Sequence, residues 1–213
     1  MLRNWSWFVC CTAVLTVIGH SVQVEAGKGT VLPTRLARPG QIILQDDFER
    51  AELGSDWKIA KGNWTIKAGA LVGQELASDQ HAAVATIGGT HCDSIMRVSL
   101  QLNGAKHLHL SLKKQQGHLF RVVINTEGLT VTLDRDKRDP ASRAQVVARA
   151  EATLAPNAWH TVQLELVGDR VRVSTDTGLE ATIQHADLAC DKPGYRFVIG
   201  GESARLDDLI VYA

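Results

Sequence analysis

From Ile42 to Tyr212 apolar side chains recur at every second position, in one short stretch after another, and this spacing confines the chain to sheet. Successive side chains of a strand point to opposite faces, so a period of two sorts apolar from polar residues. Met96, Val98, Leu100 and Leu102 alternate with Arg97, Ser99 and Gln101; Leu108, Leu110 and Leu112 alternate with His107, His109 and Ser111. Turn signals separate the stretches: Gly62-Asn63, Gly69, Asn103-Gly104, Gln116-Gly117, Glu127-Gly128, Gly168-Asp169 and Asp191-Lys192-Pro193-Gly194. Asn103-Gly104 is the strongest of them and predicts a hairpin, the first of a meander running to Leu133. Ala141–Ala152 is rich in alanine, a helix former, but its run Gln145-Val146-Val147-Ala148 reads as strand. The first stretch, with Asp46-Asp47, and the last, with Asp207-Asp208, look alike and are expected to pair, closing one sandwich.

The region before this pattern is read differently. Arg3 and the apolar run Phe8–Ile18 precede small residues at Val24-Glu25-Ala26, so residues 1–26 read as an export signal cut before Gly27. The run is shorter than the roughly 20 residues a bilayer-spanning helix needs, so no membrane span is expected after cleavage. Residues 27–40 lack periodicity and read as an extended leader or linker, leaving 41–213 as the β-sandwich domain. A secreted, periplasmic or other extracytoplasmic location follows from the signal.

Lys plus Arg number 23 and Asp plus Glu number 23, so the chain has no basic bias of the kind nucleic acid requires. Two cysteines, Cys92 and Cys190, lie beyond the signal. In an oxidising compartment they could form a disulfide, closing a loop of roughly 100 residues, or remain separate buried thiols.

Several motifs in fixed order resemble a known family. They are Asp46-Asp47-Phe48, Trp57, Gly62-Asn63-Trp64-Thr65-Ile66 with Gly69-Ala70-Leu71, then Asn157-Ala158-Trp159-His160-Thr161-Val162 with Gly168, and the closing Arg205–Tyr212. Together they resemble the concanavalin A-like lectin/glucanase jelly roll, and within it the laminin-G-like and 3-keto-disaccharide hydrolase modules of exported bacterial proteins. The resemblance implies an all-β, two-sheet antiparallel sandwich and a carbohydrate-related role. The Glu-x-Asp-x-x-Glu strand of family 16 glycoside hydrolases has no counterpart. The region comparable to the Asn-Ser-Gly stretch of the 3-keto-disaccharide hydrolases reads Gly117-His118-Leu119-Phe120-Arg121.

The candidate binding surface is the polar side of the meander. With Leu108, Leu110 and Leu112 inward, His107 and His109 face out, joined by Arg97, Ser99 and Gln101 on the preceding strand and by Arg121 and Asn125 on the following one. Arg97, His107, His109 and Arg121 are the residues expected to hydrogen-bond a ligand, as planar donors suited to sugar hydroxyls or a carboxylate. Trp57, Trp64 and Trp159 stand in phase with apolar neighbours and are expected in the core. Asp47 and Asp207, brought together if the chain ends pair, are the candidate ligands of a structural calcium; otherwise each accepts hydrogen bonds from backbone or arginine. Glu75, Asp79, Glu127, Asp134 and Glu165 are acids from which a glycosidase pair would have to come, but no spacing selects two. The functional reading is thus a module that binds a glycan or a cell-surface partner without chemistry of its own. A glycan hydrolase and a structural envelope module are the alternatives.

Overall fold

The computed structural model describes residues 27–213; the expected export signal lies outside the described residues. The strands are β1 (Ile42–Asp46), β2 (Trp57–Lys61), β3 (Asn63–Ile66), β4 (Leu71–Gln74), β5 (Ala83–His91), β6 (Ser94–Lys113) and β7 (His118–Asn125). They continue as β8 (Gly128–Leu133), β9 (Gln145–Glu151), β10 (Trp159–Val167), β11 (Arg170–Thr175), β12 (Glu180–Gln184) and β13 (Lys192–Tyr212). All pair antiparallel. The chain ends pair as expected, Ile42 opposite Tyr212 and Asp46 opposite Leu209.

The Asn103-Gly104 hairpin does not form. β6 runs straight through it for 20 residues, and β13 runs for 21 beside it. Gly104 (φ +78°), opposite Ser203, and Gly201 (φ +97°), opposite Ala105, lie at adjoining pairs where the register between β6 and β13 slips. Left-handed glycines on both strands produce paired bulges and a bend, and no reversal. Asn-Gly signals a hairpin only when the flanking strands meet each other; here each half of β6 finds a better partner.

The bend turns one continuous sheet into two wings. The first half of β6 and the second half of β13 join β10, β11 and β12 on one side and β1, β4 and β3 on the other. Their remaining halves join β7, β8 and β9 on one side and β5 and β2 on the other. The wings face each other, and their outer strands β9 and β12 touch. This is a jelly-roll sandwich. Between the wings lies an apolar core containing Met96, Val98, Leu100, Leu108, Leu110 and Leu112, with the rings of Phe48, Trp57 and Phe197 in tilted contact. Each fully buried aliphatic or aromatic side chain stabilises the fold by about 1.5–3 kcal/mol, and these cross-wing contacts hold the sandwich shut.

Residues 27–37 contain no strand, yet they are not a loose linker. They lie as a strap across the outer face of the first wing. Ser99 Oγ accepts from Gly29 N (2.8 Å), Thr161 Oγ1 accepts from Thr30 N (3.2 Å), and one oxygen of Glu165 accepts from Arg35 N and Leu36 N (both 2.7 Å). Lys28 pairs with Asp207 at 2.7 Å. As a result β10 is buried on both faces and its polar residues Thr161, Gln163 and Glu165 are sealed in. Trp159 belongs to this covered face. It is buried, but outside the core: it stands opposite Gln101, with the Lys28 ammonium and the Arg205 guanidinium 5.2 and 5.1 Å from its ring. Trp57 and Trp64 are in the core as expected.

Candidate functional site

The outer face of the second wing has no strap, and there the polar residues of β6, β7 and β13 line an open pocket of about 320 Å³. Its floor is set by register. Ser111 stands opposite Arg121 on β7 and opposite Arg196 on β13, so Arg121, Ser111 and Arg196 form one row across three neighbouring strands. The next row outward is Val123, His109 and Val198. Adjacent strands lie about 4.8 Å apart, so such a row aims its side chains at one small volume. His107 and His109 follow each other on the same face, and their rings stack 4.5 Å apart at 23°. Gly200 stands opposite His107, and a β-carbon there would collide with the imidazole, so glycine makes room for the ring. His81, His118 and Asp134 complete the wall.

The pocket combines the cationic charge of its arginines with three imidazoles that their surroundings hold toward the neutral form. Burial, reinforced by His107, Arg121 and Arg196, pushes the His109 imidazole down to about 3. Burial also lowers His107 and His118. Neutral imidazoles each offer one donor and one acceptor, the pair that a sugar hydroxyl uses. Arg121 is held by Asp134 at 3.0 Å. Arg196 is half-buried and has no hydrogen-bond or salt-bridge partner among the described residues. Its desolvation disfavours the charged form, with Asp134 opposing and Arg121 adding to that effect.

Of the four residues expected to bind, the structure brings together His107, His109 and Arg121. Arg97 is elsewhere, on the first half of β6 between Gln163 and Ile210, on the outer face of the opposite wing. Residues of equal parity on one strand share a face only while the strand stays in one sheet, and β6 changes sheet at Gly104. Ser99 and Gln101 are covered on that same wing. Arg196, His81 and His118 escaped the sequence reading, and Asp134 was named there only as a possible catalytic acid. Arg196 carried a usable signal, since it alternates with Tyr195 and Phe197 and so faces outward; what was missing was the register that sets it beside Ser111.

The other candidates fall apart. Asp47 accepts from Glu49 N, and Asp46, its neighbour, is taken by Arg50 (2.5 and 2.8 Å), Trp57 Nε1 and Phe48 N. Asp207 binds Lys28 and Asp208 N. Among the described residues no group of three or more His, Cys, Asp or Glu side chains is placed to hold a metal ion. Cys92 and Cys190 are free thiols, not a disulfide. Their segments are joined through the fully buried Lys192, whose ammonium donates to both carbonyls at 2.8 and 2.7 Å. The acids are scattered too. Glu75 accepts from Gly201 N, Asp79 from Gly62 N, and Glu165 is under the strap. A larger hollow of about 500 Å³ near Asp46, Arg50 and Trp57 has its main polar groups paired with one another.

No family model and no curated protein matches the chain. Solved structures do match its fold. The carbohydrate-binding module CBM66 from Bacillus subtilis superposes with a TM-score of 0.59 at 10% identity, covering 74% of this chain and 96% of that one. SCLam, a non-specific endo-β-1,3(4)-glucanase of family GH16, gives 0.61 at 11%, covering 85% and 94%. The laminarinase from Rhodothermus marinus gives 0.59 at 11%, covering 84% and 98%. At such identities the likeness shows the fold, a jelly-roll sandwich, and leaves function to the site.

Proposed function

We propose that the protein is an exported glycan-binding module whose site is the pocket of His107, His109, Ser111, Arg121 and Arg196, and that it prefers a sugar bearing a carboxylate. One observation carries the preference: Arg196 presents an unpaired guanidinium, half-buried, beside a second guanidinium that a single aspartate holds. A planar fork of N–H donors is matched by a carboxylate, and the neutral imidazoles beside it suit the ring hydroxyls. The structural neighbours support the glycan part of the reading, since their names give a carbohydrate-binding module and glucanases. Binding without hydrolysis is supported by the acids: among the described residues Asp134 is the one carboxylate lining the pocket and it is tied to Arg121, whereas glycosidic cleavage needs two, about 5–9.5 Å apart.

The test is calorimetric titration with polygalacturonate, alginate and neutral laminarin at low and moderate salt. Uronate polymers should bind, more weakly as salt screens the guanidinium, and laminarin at least tenfold more weakly still. Equal affinity for laminarin would remove the carboxylate preference. Binding of none of the three would remove the glycan reading.

A further inference from the structure

Beneath the start of the strap are two buried polar atoms that no described residue satisfies. Asp176 Oδ1 and His160 Nδ1 have no hydrogen-bond partner among the described residues, and at 3.7 Å they are too far apart to bond each other. Both side chains are about nine-tenths buried. The other carboxylate oxygen of Asp176 points at Gly27, where a β-carbon would stand 2.5 Å from it. By standard backbone dimensions this places the Gly27 nitrogen within about 5 Å of that oxygen. The residue is held there from both directions. The Thr161 hydroxyl donates to the Gly27 carbonyl, and Ser99 Oγ accepts from Gly29 N. Gly27 has φ +91°, and a side chain there would collide with the Trp159 carbonyl, so this position takes glycine alone.

Gly27 is also the residue that the sequence marks as the first after export processing. We propose that cleavage of the Ala26–Gly27 bond creates a ligand for this socket: the new α-ammonium of Gly27 pairs with Asp176 and locks the strap onto the first wing. In the cleavage, water adds across the amide, leaving a carboxylate on Ala26 and an ammonium on Gly27; the peptidase of the export machinery catalyses it. Before processing the same nitrogen is an uncharged amide with one N–H. Afterwards it is a cation with three donors facing a carboxylate that has a vacant acceptor. The strap buries Thr161, Gln163 and Glu165, so the lock at its end couples processing to the stability of the whole wing.

The full-length chain is exported from a bacterial host and its intact mass measured. The mass should correspond to a chain starting at Gly27; a different first residue overturns the proposal. A chain starting at Gly27 is then compared by thermal unfolding with one carrying two extra residues before it. The extension should lower Tm by several degrees. Asp176→Asn should lower Tm similarly in the Gly27 chain and add little in the extended one. Equal loss in both backgrounds would mean that Asp176 serves His160 alone, and the proposal fails. Acetic anhydride labelling gives an independent readout. The Gly27 α-amine should react several-fold more slowly than an exposed α-amine, and Asp176→Asn should restore the rate; unhindered labelling of the parent chain overturns the lock.

Discussion

The two outer faces of this sandwich carry the same alternation and similar residues, and they end in opposite states. On the first wing, outward Ser99, Thr161, Gln163, Glu165 and Arg172 are all buried, because residues 27–37 lie across them. On the second wing, outward His107, His109, Arg121 and Arg196 stay open and form a pocket. In the middle of the covered face the charged groups satisfy one another: Arg172 reaches Glu165 at 2.5 Å and Glu180 at 2.7 and 2.8 Å, while Glu165 also takes two backbone N–H groups. The open face leaves a guanidinium and several imidazoles for a partner from outside. Polar residues projecting from a sheet therefore become either an internal network or a binding site, according to what the rest of the chain lays over them.

Substitutions should separate the two faces. The largest effect is expected for Glu165→Ala, which leaves Arg172 with one partner fewer and orphans the strap N–H groups; by the usual cost of breaking a buried pair it should lose about 3–5 kcal/mol in urea unfolding. A loss below about 1 kcal/mol would mean that the strap contributes little. The same carboxylate gives a pH signature. Burial alone would raise its pKa, but Leu36 N, Arg35 N and Arg172 outweigh burial and hold it below the ordinary value. Its contribution is therefore present above the unfolded glutamate pKa and is lost as pH falls through the lowered folded value. The strapped chain should lose stability on acidification below about pH 4.3, and Glu165→Gln should flatten that slope.

On the open face the effects move from stability to binding. Arg196→Gln should weaken uronate affinity at least tenfold, about 1.4 kcal/mol, with Tm unchanged or slightly raised, since an unpaired half-buried cation does not support the fold. A fall in Tm as large as that of Glu165→Ala would show that Arg196 is structural. Gly200→Ala should displace the His107 ring and reduce affinity several-fold, at a stability cost of about 0.5–1.5 kcal/mol for the side chain pushed off its rotamer. The smallest effect is an expected constancy: in a chain carrying His81→Gln, affinity should stay flat from pH 8 to about pH 6, because burial holds His107 and His118 below the ordinary imidazole range and His109 at about 3. Tightening through pH 6.5 would mean that a pocket histidine takes up a proton.

Much of the fold was legible because it is local. Leu108, Leu110 and Leu112 are buried and His107 and His109 share the other side, as strand geometry requires of residues two apart. The pairing of the chain ends was legible from two similar terminal strands. Asn103-Gly104 misled, because a left-handed glycine serves a hairpin and a bulge equally well, and the choice rests with partners far along the chain. That error carried Arg97 into the site and hid Arg196 from it.

Alternation by itself determined that this chain is sheet, which side of each strand meets the core, and that its ends lie together; each follows from the direction in which consecutive β-carbons project. Only the tertiary structure decided which outward face would be sealed and which would remain a pocket. That depended on where β6 and β13 bend and on hydrogen bonds such as Arg35 to Glu165, 130 positions apart, and no local spacing encodes contacts at such a distance.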